Sequence, residues 1–355
     1  MNTIELERYK RHFSLFGLEG QENISKASIL IVGCGGVGSP VALYLAAAGV
    51  GVIGLVDYDV VDLSNLQRQI LFAERDINHQ KVDCAKTRLE SLNSNINIKA
   101  YADKLTLTNA ASILSEYDLV IDGTDNFQTR YLVNDICCQL DKPFISASVL
   151  KDQAQLAFFN IIDGCYRCIF PSPPPKSLVP NCAEAGVLGS VVGVVGTLAV
   201  TMALNFIVKG QYPLNELKFF DSHDLSLKSL KVNKNRDCPS CVHKQLSHEH
   251  QESDEDNSND LIKYSQDLNL SDYFVIDVRE GWERQVSKID NDDLHLAMSQ
   301  VLSNLDLIPK NADVLIYCHL GIRSLHIAEA LRDYGYKAYS LDGGIEAWGL
   351  IRPRG

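Results

Sequence analysis

The hydrophobic pattern near the N-terminus predicts a strand, a turn, a helix and a second strand. The apolar run Ser28 to Val32 enters the glycine-rich turn Gly33-Cys34-Gly35-Gly36-Val37-Gly38, and a helical pattern follows from Pro40 to Ala48. A second apolar run, Val52 to Val56, ends in Asp57. Short apolar runs bounded by turn signals are typical of buried strands, and a helix between two of them predicts a parallel βαβ unit.

The glycine-rich turn has the pattern of a nucleotide phosphate site. Gly33, Gly35, Gly36 and Gly38 let the backbone approach phosphates closely, and the N–H groups and dipole of the following helix face the anion. Asp57, at the end of the next strand, is placed to accept hydrogen bonds from ribose hydroxyls. A glycine turn that serves only packing is the alternative.

Polar residues beyond the second strand indicate which nucleotide binds. The loop Ser64-Asn65-Leu66-Gln67-Arg68-Gln69 follows Asp57, and Lys81 comes shortly afterwards. Two cations and an amide suit the polyphosphate of ATP, whose negative charge must be neutralised during phosphoryl or adenylyl transfer. An NAD-dependent oxidoreductase built on the same half-fold is the alternative.

A further apolar strand carries a candidate metal ligand. Leu119 to Ile121 leads into Asp122-Gly123-Thr124-Asp125-Asn126, at the strand end where α/β sheets bind ligands. Asp125 is therefore a candidate magnesium ligand. Alternatively, Asp125 caps the helix that contains Arg130.

The motifs GCGGVG, LVDYD, SNLQRQ and DGTDN together resemble the adenylating domain of a known family. That family includes molybdopterin synthase adenylyltransferase, the thiamine-pathway adenylyltransferase and ubiquitin-activating enzymes, and the resemblance runs from about Glu7 to Val242. It implies binding of Mg-ATP and adenylation of the C-terminal Gly-Gly carboxylate of a small ubiquitin-fold protein, with release of pyrophosphate. The match Arg8-Tyr9-Lys10-Arg11 implies a homodimer, in which Arg11 reaches the partner subunit's ATP site. A solvated basic stretch is the alternative for this cluster.

The resemblance also assigns roles residue by residue. Asp57 would hold the ribose, whereas Asn65, Arg68 and Lys81 would hold phosphate. Asp125 would hold Mg2+, and Arg68 and Asp125 are expected to act in catalysis. The residues expected to bind nucleotide or magnesium are Gly33, Gly35, Gly36, Gly38, Asp57, Asp59, Asn65, Arg68, Lys81, Asp125, Asn126 and Arg11.

Four of the ten cysteines are spaced as metal ligands. The segments Cys165-Tyr166-Arg167-Cys168 and Cys238-Pro239-Ser240-Cys241 form two CxxC pairs, which suit one tetrahedral Zn2+ ion of structural role. Charged residues between Glu5 and Lys10 replace the apolar core of a signal peptide, so we expect the reducing cytosol and free thiols. A redox CxxC is the alternative, although two matching pairs favour zinc. The family resemblance includes this tetrad.

Cys182 stands apart from the cysteines expected to pack, which are Cys34, Cys84, Cys137 and Cys138. It lies in the loop sequence Pro180 to Gly186, after a proline-rich stretch. In related sulfur-transferring members the cysteine at this place forms an acyl-thio bond to the carrier protein, and the resemblance implies that catalytic role for Cys182. Packing is the alternative.

Cys318 lies between a predicted buried strand, Leu315 to Tyr317, and a helical pattern. The N–H groups at a helix start and the nearby Arg323 would stabilise its thiolate, so both residues are candidates for catalysis. This loop and the flanking motifs IDVR and LDGGIEAW resemble the rhodanese family, whose cysteine carries a persulfide. Four residues separate Cys318 from Arg323, whereas tyrosine phosphatases have five, and the smaller cradle favours sulfur.

One segment departs from the rhodanese pattern. Rhodaneses usually show Gly-His-Ile-Pro-Gly-Ala where this chain has the acidic run Lys288 to Leu294. The replacement bears on recognition of the sulfur donor, and an inactive docking domain is the alternative to catalytic sulfur transfer.

Length and composition predict two α/β domains. The chain has 355 residues, of which 46% are hydrophobic, enough for two cores. We expect a Rossmann-like, ATP-binding adenylating domain with structural zinc at 1–246, an acidic flexible linker at 247–260, and a smaller α/β rhodanese domain at 261–355. The uncharged run 185–208 predicts a buried helix, with a membrane span as the alternative.

The predicted function is ATP-dependent adenylation of a small ubiquitin-fold sulfur carrier, followed by sulfur transfer to give a thiocarboxylate. Expected partners are that carrier, a sulfur donor such as a cysteine desulfurase, and a second copy of the chain, in the cytoplasm and without a membrane. The net charge of −12 disfavours direct nucleic-acid binding. A non-catalytic carrier-binding scaffold with an inactive rhodanese module is the alternative. Molybdenum cofactor biosynthesis, thiamine synthesis and tRNA thiolation all remain open as pathways.

Overall fold

The computed structural model describes residues 3–174, 186–210, 216–246, 261–262, 268–290, 292–319 and 321–351. The described residues form two compact units, one within 3–246 and the other within 261–351. The predicted linker, 247–260, lies outside the described residues, so the domain boundaries stay a prediction.

A mixed sheet forms the centre of the first unit. Its strands are β1 (Ser28–Val32), β2 (Val52–Val56), β3 (Asn97–Tyr101), β4 (Leu119–Asp122), β5 (Phe144–Leu150), β6 (Gln153–Phe159), β7 (Glu216–Asp221) and β8 (Ser226–Lys231). Their order across the sheet is β3-β2-β1-β4-β5-β6-β7-β8. The neighbours from β3 to β5 pair in parallel, and those from β5 to β8 pair antiparallel. Because β1 has β2 on one side and β4 on the other, the topological switch point lies at β1.

Helices cover both faces of this sheet. They are α1 (Thr3–Lys26), α2 (Gly38–Ala48), α3 (Lys81–Leu92), α4 (Ala110–Ser115), α5 (Phe127–Gln139), α6 (Tyr166–Ile169) and α7 (Gly189–Lys209). Alternate side chains of β1 enter opposite cores: Ile29 and Ile31 pack with α2 and α7, and Leu30 and Val32 pack with α5. The continuous apolar runs of the sequence therefore reflect strands that are buried on both faces.

The sequence pattern and the elements of the first unit agree closely. β1 and β2 have the bounds of the two apolar runs, whereas α2 begins at Gly38, two residues before the predicted start at Pro40. The helix therefore starts inside the glycine-rich turn, which brings its N-terminus to the end of β1.

Helix α7 is the one described helix that is long and apolar enough to cross a membrane. Of its most apolar stretch, 44% is buried within the fold. It packs against α1, α2, β5 and β6, as the predicted core helix would. Core helices of soluble proteins have the same length and composition, so these features alone are weak evidence for a membrane span.

The second unit is a parallel sheet with helices. Its strands are β9 (Leu261–Ile262), β10 (Phe274–Asp277), β11 (Leu294–His295), β12 (Asp313–Tyr317) and β13 (Lys337–Leu341), in the order β11-β10-β12-β13-β9. Its helices are α8 (Gly281–Val286), α9 (Met298–Val301), α10 (Ile322–Asp333) and α11 (Gly344–Ile351). The predicted α/β fold class is confirmed, and the C-terminal ends of β10 and β12 place Asp277 and Cys318 at one edge of the sheet.

Candidate nucleotide pocket, cysteine tetrad and cysteine loop

A cleft opens at the C-terminal ends of β1, β2 and β4, and the space in it amounts to about 990 Å3 when the adjoining open solvent is counted. This is the switch point of the sheet, where open α/β folds bind their ligands. The predicted site residues that line it are Gly33, Gly35, Gly36, Asp57, Asp59, Arg68, Lys81, Asp125 and Asn126. The topology thus brings together most of the residues that the motifs singled out.

Gly38 supports the cleft from behind its wall. A Cβ atom at this position would lie 1.9 Å from the carbonyl oxygen of Gly33, so no other residue fits. The close approach allows α2 to begin directly at the turn, where its first N–H groups face the space above β1.

Asp57 organises the turn through its carboxylate. Its Oδ2 accepts a hydrogen bond from the backbone N–H of Cys34 at 2.8 Å, and its Oδ1 accepts one from that of Asp59 at 2.9 Å. Burial raises the pKa of Asp57, whereas the neighbouring Lys81 and these two bonds oppose the shift. The carboxylate thus connects the end of β2 to the glycine-rich turn.

Two cations reach the cleft from separate segments. The Lys81 ammonium is only 6% exposed and donates to Asp59 Oδ2 at 2.8 Å. Arg68 donates through Nη1 to the carbonyl oxygen of Ser64 at 3.1 Å. Lys104 also lines the cleft, so helix N–H groups and three positive side chains there can face an anionic ligand.

The loop after β4 is fixed by a buried ion pair. Asp122 accepts from Arg130 Nε at 3.3 Å and from Thr124 Oγ1 at 2.6 Å, and Arg130 Nη2 donates to the carbonyl oxygen of Thr124 at 2.8 Å. Burial raises the pKa of Asp122, and Arg130 counteracts that effect. Asn126 caps α5 by accepting from the Thr129 N–H at 2.8 Å, so the cap is Asn126 and the capping alternative for Asp125 is wrong.

Besides Gly38, two predicted residues lie away from the lining of this cleft in the described structure, Asn65 and Arg11. Asn65 Oδ1 accepts from the backbone N–H of Asp62 at 3.2 Å in a capping box. Arg11 lies exposed on α1. Their nucleotide roles stay predictions, and that of Arg11 requires a second subunit.

Gln69 is a pocket residue to which sequence reasoning assigned no role. Its side chain is 4% exposed and lines the cleft, yet its Oε1 has no hydrogen-bond partner among the described residues. A buried polar atom facing a cavity is a candidate ligand contact. The signal in the sequence was the position of Gln69 in the same loop as Asn65 and Arg68. The sequence reasoning gave ligand roles to Asn65, Arg68 and Lys81 but not to Gln69.

The two CxxC segments meet at the end of α5. All four sulfurs lie within 4.8 Å of one another, with Sγ–Sγ distances of 3.9 Å for Cys165–Cys168, 3.6 Å for Cys165–Cys238 and 3.5 Å for Cys168–Cys241. A tetrahedral Zn2+ with Zn–S bonds of about 2.3 Å places its sulfurs about 3.8 Å apart, so the tetrad fits this ion.

The four thiols of the tetrad fall into two classes, because two have a raised pKa and two have a lowered pKa. Bonds from Cys138 and from the other three thiols raise the pKa of Cys165, and bonds from Cys168 and Cys238 raise that of Cys241 against an opposing effect of Cys165. Bonds from Cys165 lower the pKa of Cys168 and that of Cys238, the latter to about 6. Thiolates are the form that binds a metal. Among the other cysteines, Cys34, Cys137 and Cys138 are buried as predicted, Cys84 is partly buried, and Cys182 lies outside the described residues.

Cys318 lies at the end of β12, with 1% of its surface exposed. Its sulfur accepts from the Gly321 N–H at 3.1 Å and from Ser324 Oγ at 3.4 Å. The N–H of Ile345, in α11, donates to the Cys318 carbonyl oxygen at 2.9 Å. A Cβ atom at Gly344 would lie 2.5 Å from that oxygen, which explains glycine in the LDGG motif.

Arg323 is held by a partner from a distant segment. Its Nη1 and Nη2 each donate to one oxygen of Glu283, on α8, at 2.7 Å. Burial raises the pKa of Glu283, but bonds from Arg323 and from the Glu280 N–H overcome this and leave it below its ordinary value. The sequence placed Arg323 beside Cys318, but gave no sign of Glu283.

Acidic residues of the run that departs from the rhodanese pattern accept hydrogen bonds from neighbouring elements of the second unit. Asp292 accepts from Arg284 Nη2 and from the Tyr317 hydroxyl, each at 2.8 Å. Asp293 accepts from the backbone N–H of Val275 at 2.7 Å. These carboxylates therefore secure β10 and β12, which gives the acidic replacement a structural role.

Two family models match the chain, one for each unit. The model described as the ThiF family matches residues 9–240, and the model described as the rhodanese-like domain matches residues 258–350. The chain belongs to the ThiF family. Its C-terminal part belongs to the rhodanese-like domains, so the resemblance on which the sequence predictions rest is confirmed.

Named relatives agree with this assignment. "Adenylyltransferase and sulfurtransferase MOCS3" of Culex quinquefasciatus is 35% identical over 386 residues, which cover 98% of this chain and 88% of that protein. "Sulfur carrier protein adenylyltransferase" of Thermus thermophilus is 44% identical over 246 residues, covering 67% of this chain and 91% of that protein. The predicted class, an adenylyltransferase with sulfurtransferase function, is confirmed and replaces the oxidoreductase alternative.

A solved structure shares the fold of the first unit. It is titled "Crystal structure of E. coli MccB + ATP", with a TM-score of 0.58, 27% identity, and coverage of 66% of this chain and 74% of that chain. The ThiF family uses ATP for adenylyl transfer, in agreement with the glycine-rich turn and the Arg68 and Lys81 side chains that line the cleft.

Proposed function

We propose that the first unit uses Mg-ATP to adenylate the C-terminal Gly-Gly carboxylate of a ubiquitin-fold sulfur carrier. The observation that carries this proposal is the convergence of Arg68, Lys81 and Asp125 on one cleft above the glycine-rich turn. Positive side chains and helix N–H groups stabilise the charge that builds on phosphate oxygens when pyrophosphate leaves.

Different residues of the cleft bind different parts of ATP. Arg68 and Lys81 hold the phosphates, and Asp57 holds the ribose. Asp125, which also lines the cleft, would hold Mg2+ by its carboxylate, the kind of ligand that this ion prefers. When bound, this ion would neutralise part of the negative charge of the ATP phosphates. The Oε1 atom of Gln69 accepts a hydrogen bond from a donor of the ligand, because a buried acceptor without a partner is costly.

The second unit provides the sulfur. A persulfide on Cys318 attacks the carbonyl carbon of the acyl-adenylate and displaces AMP, which leaves an acyl disulfide. The thiolate of Cys182 then attacks the Cys318 sulfur and releases the carrier thiocarboxylate. A cellular thiol must reduce the disulfide between Cys182 and Cys318 that this step forms. Donation from Gly321 N–H and Ser324 Oγ stabilises the Cys318 thiolate that starts each cycle.

The remaining parts of the proposal concern assembly. The cysteine tetrad holds a structural Zn2+, since its sulfurs have tetrahedral spacing. A second copy of the chain supplies Arg11 to the cleft, and a cysteine desulfurase in the cytoplasm supplies persulfide sulfur.

The test is exchange of labelled pyrophosphate into ATP by the full-length protein, with a purified Gly-Gly carrier and MgCl2. We expect exchange that requires both the carrier and its terminal glycine. A protein that binds carrier but gives no exchange would support the non-catalytic scaffold instead.

A further inference from the structure

Asp135 lies on α5 behind the cysteine tetrad and is completely buried. Its Oδ1 accepts from Arg167 Nε at 2.8 Å and from Ser240 Oγ at 2.5 Å, and its Oδ2 accepts from Arg167 Nη2 at 3.0 Å. Arg167 stands between Cys165 and Cys168, and Ser240 stands between Cys238 and Cys241. One carboxylate therefore holds the middle of both CxxC segments.

The surroundings fix Arg167 on every side. It is 2% exposed, its Nη1 donates to the carbonyl oxygen of Pro171 at 2.8 Å, and its guanidinium carbon lies 4.5 Å from the centre of the Tyr131 ring. The Tyr166 N–H, in the same segment, donates to Asn134 Oδ1 at 2.9 Å. The first CxxC segment is thus docked on α5 by bonds that involve no sulfur.

Such a cluster is not explained by stability alone. A buried ion pair loses much of its Coulomb gain to desolvation, and its best attested use is to specify one arrangement of the chain. The arrangement specified here joins segments that are 73 residues apart, and these segments carry the four sulfurs.

We propose that Asp135 is a positioning residue for the metal site, which it preforms by fixing Arg167 and Ser240. The four sulfurs then stand at tetrahedral spacing before the ion binds. This inference rests on the proposed metal binding by the tetrad. Groups that hydrogen-bond a metal ligand hold that ligand in place, and their loss typically weakens metal affinity about 10–100-fold. Asp135 acts one step further out, through the residues that lie between the ligands in the sequence.

Two variants probe the cluster at different strengths. Asp135→Asn keeps the volume but removes the charge that pairs with Arg167, and we expect a loss of affinity of about 10–100-fold. Ser240→Ala removes one of the bonds and leaves the ion pair, so a smaller loss, of about 3–10-fold, is expected. Asn93→Ala is the matched control, because Asn93 is also fully buried and donates to Tyr9 Oη on α1 and to the Ala46 carbonyl on α2.

The experiment titrates Co2+ into the chelator-stripped, full-length protein and follows the cobalt–thiolate absorption. Competition with Zn2+ then gives relative zinc affinities, and circular dichroism reports folding. We expect wild type and Asn93→Ala to bind alike, Ser240→Ala more weakly, and Asp135→Asn weakest. If Asp135→Asn does not fold, Ser240→Ala decides the question.

The possible failures are distinguishable. Affinities in folded Asp135→Asn or Ser240→Ala equal to wild type would overturn the positioning role. An equal loss in Asn93→Ala would also overturn it, because it would show that general destabilisation is sufficient. Absence of the cobalt–thiolate band in wild type would instead refute metal binding by the tetrad, on which the inference rests.

Discussion

The nucleotide cleft of the first unit is lined by three cations, Arg68, Lys81 and Lys104, whereas the cysteine loop of the second unit encloses one nearly inaccessible sulfur. In the cleft, Arg68 and Lys81 face the space that a ligand would fill. In the loop, Arg323 is held by both oxygens of Glu283, and backbone and hydroxyl donors approach the sulfur. The difference indicates that the two half-reactions depend on separate groups. Adenylation depends on residues that bind the polyphosphate, and sulfur transfer depends on the donors that surround the Cys318 thiol.

Replacement of the nucleophile should separate the two regions most sharply. In Cys318→Ala, we expect formation of carrier thiocarboxylate to fall by at least about 1,000-fold, because the persulfide has no attachment atom. Pyrophosphate exchange should remain within about twofold of wild type. Mass spectrometry of the carrier and an exchange assay give the two readouts, with the partly buried Cys84→Ala as control. Equal loss of both activities would refute the division of labour.

Asp125→Ala tests the comparison from the other side. We expect pyrophosphate exchange to fall about 100–1,000-fold, since a proposed magnesium ligand is lost. Transfer of sulfur from thiosulfate to cyanide by the second unit should be unchanged, as should both activities in Asp83→Ala, an exposed control on α3. Undiminished exchange in Asp125→Ala would remove this residue from the metal site.

Glu283→Gln sharpens the account of the cysteine loop. Loss of the charged partner of Arg323 should slow sulfur transfer about tenfold and destabilise the second unit by about 1–3 kcal/mol, with exchange unaffected. Measurements of kcat, KM and thermal unfolding would show this, and Glu329→Gln, exposed on α10, is the control. A variant with normal transfer would show that Arg323 needs no such support.

The same pair predicts a pH dependence. Burial raises the pKa of Glu283, but the bonds from Arg323 lower it by more than burial raises it. The folded value therefore lies below the unfolded value of about 4.3. The stabilisation is therefore fully present above that pH and is lost as the pH falls through the folded pKa. When the free energy of unfolding is measured from neutral to acid pH, it should decrease less in Glu283→Gln than in wild type. An identical pH profile would contradict the assignment.

Ser324→Ala should have the smallest effect. It removes the hydroxyl that donates to Cys318 Sγ but leaves the Gly321 N–H in place. We expect a decrease of about 3–10-fold in sulfur transfer and slower alkylation of Cys318 near neutral pH, because its thiolate is less stabilised. The exposed Ser303→Ala should behave as wild type. Unchanged alkylation would leave Gly321 as the principal donor.

The sequence could predict features that depend on neighbouring residues. The strands beside the glycine-rich turn followed from short apolar runs, and the CxxC spacing predicted two metal-binding pairs that the fold brings together. It could not predict Glu283 beside Arg323 or Asp135 between the two CxxC segments, because these contacts join residues 40 and 32 or 105 positions apart. Such partners depend on how parallel strands and helices stack, which no local pattern records.

The central claim is that the cleft of the first unit binds ATP with magnesium through Arg68 and Lys81. Calorimetric titration of ATP into the full-length protein, with and without MgCl2, tests it most directly. The account predicts binding to wild type and Cys318→Ala that is strengthened by magnesium and lost in the double variant Arg68→Ala, Lys81→Ala. No binding to wild type with magnesium present, or full binding to the double variant, would contradict it.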